Sequence, residues 1–177
     1  NEIEDATASI LDLAASLEVG LGEAAEFSGS IVKSFGLTTE ETSRVVDVMA
    51  KSTSSSALNF EGLRESLKLV APVAKATGTS IEKTTALLGV LADRGLKGSI
   101  AGTGLGQTFV ELNKKGLTLE QAMTKVSQSS NKLGTAMKLV GTRGGRALLT
   151  LAEGRKDIEG LEQTFLNSAG AAKEMAD

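Results

Sequence analysis

Two glycine-bearing stretches come nearest to a binding chemistry: Gly102-Thr103-Gly104-Leu105-Gly106 and Gly141-Thr142-Arg143-Gly144-Gly145-Arg146. The first has the look of a phosphate-cradling loop. A dinucleotide fingerprint, however, needs a glycine where Gln107 stands and a strand in front of it, and no G-x-x-x-x-G-K-[ST] phosphate loop occurs in the chain. Each glycine inside a helix costs about 0.5–1 kcal/mol relative to alanine, so three on nearby turns ask for a compensating gain, and close backbone approach to another helix supplies one. The second stretch holds two arginines in a glycine-rich break, a pair suited to a phosphate or a carboxylate. The preferred reading is a solvated inter-helix turn whose charge favours the C-terminal end of the preceding helix.

Carboxylates are plentiful but scattered. Glu40, Glu41, Asp47, Glu61, Glu65, Asp93 and Glu111 supply the residue type a glycosidase uses in pairs across a cleft, yet none sits in a distinctive local pattern. With no Trp and no Tyr there is no sugar-stacking platform. The carboxylates read as solvated helix faces, and Glu61 and Glu65 with Arg64 and Lys68 as helix surface pairs. The chain contains no Cys and no His, which removes thiol nucleophiles, disulfides, Cys/His zinc sites and Ser-His-Asp triads. No catalytic, cofactor-binding or metal-ligating residue is assigned, no cofactor is expected, and the chain is read as not an enzyme.

Composition narrows the rest. A chain of 177 residues buries a real core, and 41% hydrophobic with 23% charged residues is ordinary for a globular protein. Aromatics are 3%, so the core must be built from Leu, Val, Ala, Ile and Met, which suits closely spaced helices. A net charge of −3 gives no basic field to hold nucleic acid, and no specific nucleic-acid binding is expected. No apolar run reaches the roughly 18–20 residues of a membrane span. The opening NEIEDATAS lacks an initiator Met and the basic start of a signal peptide, and is read as the beginning of a fragment of a longer protein.

The elements that position these residues are helical throughout. Ile3, Ala6, Ile10, Leu13, Ala14 and Leu17 make one apolar face over residues 3–17, closed by Gly20 and Gly22. Ala24, Phe27, Ile31 and Phe35 make a second over 23–35, stopped by Gly36. Thr38 with Glu41, Thr79 with Glu82 and Thr118 with Gln121 have capping-box spacing. The helix after Thr38 is expected to end in the loop Ser52–Ser56, which is given no core contact. Asn59 caps a helix through Phe60, Leu63, Leu67, Val70 and Ala74, with Pro72 expected to kink it and Gly78 to stop it. Helices follow over 81–95, 100–115 and 119–126. Leu133–Val140 is helical, Gly141–Gly145 a break, Ala147–Glu153 a short helix and Gly154–Asp157 a polar connector. A last helix carries Ile158, Leu161, Phe165 and Ala169 and fades into the C-terminal residues. No stretch alternates long enough for a strand. The expected fold is all-α, with about eight or nine short amphipathic helices joined by Gly- and Ser-bearing turns.

One resemblance goes beyond physics. The stretch LTTEETSRVVDVMAKSTSSSALNFEGLRESLKLVAPVAKATGTSIEKTTALLGVLADRGLKGSIAGTGL resembles the core region of phage tail tape measure proteins of the TP901 type, in the order of its helices and small-residue runs. The segment LVGTRGGRALLTLAEGRKDIEGLEQTFLNSAGAAKEMAD is similar to that core's C-terminal part, so the likeness covers most of 27–177. Gly106 departs from it, since a larger residue is expected there.

The resemblance implies a structural role. Tape measure proteins occupy the lumen of the growing tail, their length sets tail length, and they leave when DNA is ejected. The implied partners are further copies of the chain in a homo-oligomer, tail tube and tail tip proteins, and tail assembly chaperones, with membrane contact only at genome delivery. The implied locations are the tail lumen or tip in the virion, and the host cytoplasm during assembly. Two divisions are expected: residues 1–36 as an N-terminal helical segment and 37–177 as the core-like domain, or the whole as one continuous domain. The competing readings are a helical, muramidase-like cell-wall-degrading domain and a membrane-active helical segment used during entry.

Overall fold

Small and capping residues set the helix limits, and the computed structural model, which describes residues 2–177, shows how each limit is made. Asn1 lies outside the described residues. The helices are α1 (Glu2–Ser16), α2 (Leu21–Phe35), α3 (Thr42–Ser55), α4 (Phe60–Ala76), α5 (Ile81–Asp93), α6 (Gly98–Lys114), α7 (Leu119–Ser127), α8 (Lys132–Glu153), α9 (Arg155–Leu166) and α10 (Ala171–Ala176), with a 3-10 turn at Thr39–Glu41. Among the described residues there is no strand, so the fold is all-α.

Several caps follow from local chemistry. Asn59 Oδ1 accepts from the Gly62 amide at 2.8 Å and starts α4. Thr118 and Gln121 exchange both capping-box bonds, at 3.0 and 3.1 Å, and start α7. The Thr38 amide donates to Glu41 Oε2 at 3.0 Å in the 3-10 turn. The left-handed turns at Gly36, Gly78 and Gly95 end α2, α4 and α5 in a conformation that suits glycine.

Other expectations are corrected. The cap of α5 is Ser80, whose Oγ accepts from the Lys83 amide at 3.1 Å, and not Thr79 with Glu82. Glu82 is drawn away because it is buried and bonded to Arg44 on α3 at 2.5 Å. The run Ser52–Ser55 is helical and Ser52 is fully buried. Its hydroxyl donates to the Met49 carbonyl at 2.7 Å, which lets a polar side chain enter the core satisfied. Helix α1 ends at Ser16 with Glu18 in a left-handed conformation, and Gly22 already lies inside α2. Ile3 is 74% exposed and so leaves the packed face. The connector at Gly154–Asp157 shrinks to Gly154, and a tenth helix forms where the chain was expected to fade.

Helix α5 is the centre. Its residues from Ile81 to Ala92 are buried on almost every side, as a helix apolar all round must be. Around it pack α3, α4, α6, α8 and α9. On one flank α2, α4, α6 and α8 form a layer, each against the next. On the other, α1 lies against α2, α3 and α10. One hydrophobic cluster runs from Leu13 to Ala172 through all of these. Pro72 sits inside α4 on its exposed side, so the helix runs through it, and the carbonyl it cannot pair belongs to exposed Lys68.

Candidate functional site

The two glycine-bearing stretches meet at one place, the crossing of α6 with α4 and α8. Gly102 faces α4. A methyl group built on it would lie 2.6 Å from the Ser66 carbonyl oxygen and 2.8 Å from Ser66 Cα, so the two backbones touch where no side chain fits. Gly104 faces α8, where a methyl would lie 3.1 Å from Ala147 Cβ and 3.2 Å from the Arg143 carbonyl oxygen. Gly106 is different: its nearest foreign atom is the Leu69 carbonyl oxygen at 3.9 Å, an ordinary contact. The larger residue that the resemblance leads one to expect here would find at least a methyl's room. All three glycines lie within α6 and are buried, and no strand precedes them. Their amides from Gly102 onward belong to the helix, which leaves no phosphate cradle.

Helix α8 is bent at this crossing. Gly141 has φ 75° and ψ 176°, a region essentially restricted to glycine, and the residues on both sides are helical. The expected break is thus one residue long, and Arg143 and Arg146 lie on a helix instead of a turn. The bend folds residues 142–153 back across residues 132–140, so that a methyl on Gly145 would meet Met137 Cγ at 2.6 Å. Carbonyls at a helix end lack partners within the helix. Here Lys115, at the end of α6, donates its ammonium to the Leu139 carbonyl and reaches the Lys138 carbonyl at 3.5 Å. The Thr108 hydroxyl donates to the Gly104 carbonyl at 2.9 Å and lies 3.3 Å from the Gly144 carbonyl, tying α6 to the second half of α8.

Outside this crossing, between α6 and α8, is a cleft of about 370 Å³. Leu96, Ile100 and Ala147 give it an apolar floor, and Arg143 and Arg146 stand exposed at its edge. Ile100 is 64% exposed. Neither arginine has an ion-pair partner among the described residues. An exposed apolar side chain thus stands beside two guanidinium groups that have no ion-pair partner among the described residues.

The carboxylates go elsewhere, and mostly into structure. Asp47 accepts from the amides of Gly170 and Ala172, at 2.8 and 3.0 Å, and pins α10 to α3. Asp93 accepts from the Ala57 amide at 2.6 Å. Glu61 pairs with Arg64 at 3.1 Å, and Arg64 also reaches Glu23 at 3.5 Å. The hydrogen bond from the Thr38 amide, with Arg44 alongside, holds the Glu41 carboxyl below its usual range. The hydrogen bond from Lys114, with Lys115 nearby, does the same for Glu111. Glu40 and Glu65 are exposed. Among the described residues no group of three acidic side chains gathers to hold a metal ion.

Sequence reasoning missed two residues that organise the molecule, Lys115 and Lys83, and misread a third, Asp47, as part of a solvated helix face. Lys83 bonds Glu162 at 2.8 Å and lies 3.7 Å from Glu120, joining α5, α9 and α7 beside an open cleft of about 530 Å³ with mixed polar and apolar walls. Their partners are remote in the chain, 123 residues away for Asp47 and Gly170, so no local spacing could have found them.

A family model described as phage-related minor tail protein matches residues 1–177. The chain belongs to the phage-related minor tail protein family. This minor tail protein is 30% identical to the tape measure protein of Pneumococcus phage Dp-1, in an alignment that covers all of this chain and 18% of that protein. It is 34% identical over 102 residues to the probable tape measure protein of Escherichia phage P2, covering 58% of this chain and 12% of that protein. The chain thus spans less than a fifth of the length of these curated relatives. No solved structure matches it. As a minor tail protein it has a structural role in the phage tail. None of its described helices is long and apolar enough to cross a membrane.

Proposed function

We propose that this chain is a non-enzymatic structural segment of a tail tape measure protein, acting in tail assembly, length determination and genome delivery through helix-mediated packing. The observation that carries this reading is the match of the whole chain to part of a tape measure protein. The scaffold is consistent with it: buried side chains are spent on helix crossings. The partners we propose are further copies of the chain, tail tube and tail tip proteins, and assembly chaperones. The proposed locations are the tail lumen or tip in the virion and the host cytoplasm during assembly. We treat residues 1–36 and 37–177 as one continuous unit, because α10 packs on both α1 and α3.

The test is an in-frame deletion or duplication of this segment in the full-length protein, with tail length measured by electron microscopy. Tails that change length or fail to assemble are expected. Tails of unchanged length and full infectivity would overturn the reading. Release of peptidoglycan fragments by the purified chain would overturn its non-enzymatic part.

A further inference from the structure

Arg143 and Arg146 are set apart from the other guanidinium groups of the chain. Arg44 pairs with Glu41 and Glu82, Arg64 with Glu61 and Glu23, and Arg94 with Asp157, while Arg155 donates to the Thr124 hydroxyl at 3.0 Å. Arg143 and Arg146 have no such partner among the described residues, and both stand on the α8 wall of the cleft of about 370 Å³. Three residues apart on one helix, they share a face. The hydroxyls around them are set apart as well. Ser66, Thr108 and Thr150 turn theirs back onto carbonyls of their own helices. Ser99 and Thr103 on the α6 wall, and Thr142 next to Arg143, are exposed and make no hydrogen bond among the described residues. No described Asp or Glu lines the cleft, and its floor is apolar.

We propose that this cleft binds a phosphate monoester, with the phosphate between Arg143 and Arg146 and the apolar part of the molecule on Ile100 and Leu96. The charge matches, because a phosphate monoester carries about −1.5 to −2 near neutral pH and two guanidinium groups balance it. The number of donors selects the group. A planar carboxylate is filled by one guanidinium fork, whereas a phosphate presents three strong acceptor oxygens and can use both arginines and the free hydroxyls. The volume lies at the lower end of the range for small-molecule sites, enough for a phosphate and a ring-sized group. Two cations on a chain of net charge −3 are too few to grip a nucleic-acid backbone, which takes on the order of six or more phosphate contacts. A soluble organic phosphate and a lipid headgroup offer the same chemistry to the two arginines. The site does not depend on the tail role proposed above, and the loss of either would leave the other standing.

The test is a heteronuclear amide NMR titration of the 177-residue chain at constant ionic strength with phenyl phosphate, inorganic phosphate and benzoate. Phenyl phosphate should shift, saturably, the amides of Ser99, Thr103, Thr142 and Arg143 and the Nε–H groups of Arg143 and Arg146. Inorganic phosphate should act on the same signals about tenfold more weakly, for want of the apolar contact, and benzoate about tenfold more weakly, for want of acceptor oxygens. Arg143→Gln/Arg146→Gln, at exposed positions, should lose phenyl phosphate binding by about tenfold or more with unchanged helicity by circular dichroism. Ser99→Ala/Thr103→Ala should weaken phenyl phosphate and leave benzoate unchanged. Ile100→Ser should weaken phenyl phosphate and leave inorganic phosphate unchanged. Co-sedimentation with phosphatidylcholine vesicles, with and without phosphatidic acid, separates the two sources. Capture that needs both phosphatidic acid and the two arginines supports the site with a lipid headgroup in it, and phenyl phosphate binding without capture supports it with a soluble ester. Shifts scattered over the surface lysines overturn the proposal, as do benzoate binding as tight as phenyl phosphate, binding that survives Arg143→Gln/Arg146→Gln, or no response to any of the phosphates.

Discussion

Gly102 and Gly106 lie one helical turn apart in α6, and replacing each with alanine should change stability in opposite directions. At Gly102 the new methyl sits 2.6 Å from the Ser66 carbonyl oxygen, 2.8 Å from Ser66 Cα and 3.1 Å from Leu69 Cβ. The first two are backbone atoms, so no rotamer change relieves the clash and α4 must move away from α6. Forcing an extra carbon into a packed interior costs about 1–3 kcal/mol. The change from glycine to alanine inside a helix returns about 1 kcal/mol. The net expectation is a loss of up to about 2 kcal/mol, or up to roughly 8 °C in melting temperature for a chain of this size, with the backbone clash favouring the upper end. At Gly106 the only neighbour within range is the Leu69 carbonyl oxygen, at 3.9 Å. The helix gain is then unopposed, and a stabilisation of about 0.5–1 kcal/mol is expected. Urea unfolding followed by far-UV circular dichroism measures both, since a chain without Trp or Tyr offers little fluorescence. If the two variants shift the midpoint the same way, the α4–α6 crossing is not set by Gly102 and the argument for the layer's geometry fails.

Three further outcomes are expected. Gly141→Ala places a side chain at φ 75° and ψ 176°, which should cost about 1–3 kcal/mol; an unchanged urea midpoint would mean that the bend in α8 is not held at this residue. Asp47→Ala removes both acceptors for the Gly170 and Ala172 amides, so hydrogen exchange there should speed up about tenfold or more while the α5 amides stay protected; equal protection in both proteins would count against Asp47 as the anchor of α10. Glu41 and Glu111 have depressed carboxyl pKa values in the folded state, so their contribution is present above the ordinary carboxylate range and is lost as pH falls through and below it. With no histidine, stability should be flat between about pH 6 and about pH 8 and should fall on acidification, and a urea midpoint that rises towards acid pH would contradict this.

What could be read from the sequence were features whose cause is local. Helices with one apolar stripe, the caps at Asn59 and Thr118, and the stops at Gly36 and Gly78 each depend on residues within a few positions. Where two local answers competed, the choice was made at a distance. Thr79 and Ser80 are both capping residues, and Ser80 wins because Glu82 is held in the core by Arg44 from α3. Polar composition misled at Ser52–Ser55 because serine hydroxyls turned onto their own helix carbonyls are silent in sequence and cheap to bury. Helix α10 is too short to show a period, and its start is held by Asp47 of α3, 123 residues earlier in the chain.

The candidate site shows the same division more sharply. Each glycine-bearing stretch could be recognised, and their convergence could not, because the contact of Gly104 with the Arg143 carbonyl has no signature in spacing. That contact decides what the surface can do. With Gly102 and Gly104 pressing α6 between α4 and α8, its only outward stripe is the one bearing Ile100 and Thr103. The bend at Gly141 brings the helix of Arg143 and Arg146 alongside that stripe. Straightening α8 would part its two halves, so that α6 could not keep both Lys115 on the Leu139 carbonyl and the arginines at the cleft. The exposed cleft and the internal glycine packing are therefore one feature, and a substitution that loosens the crossing should deform the cleft even though it touches no exposed residue.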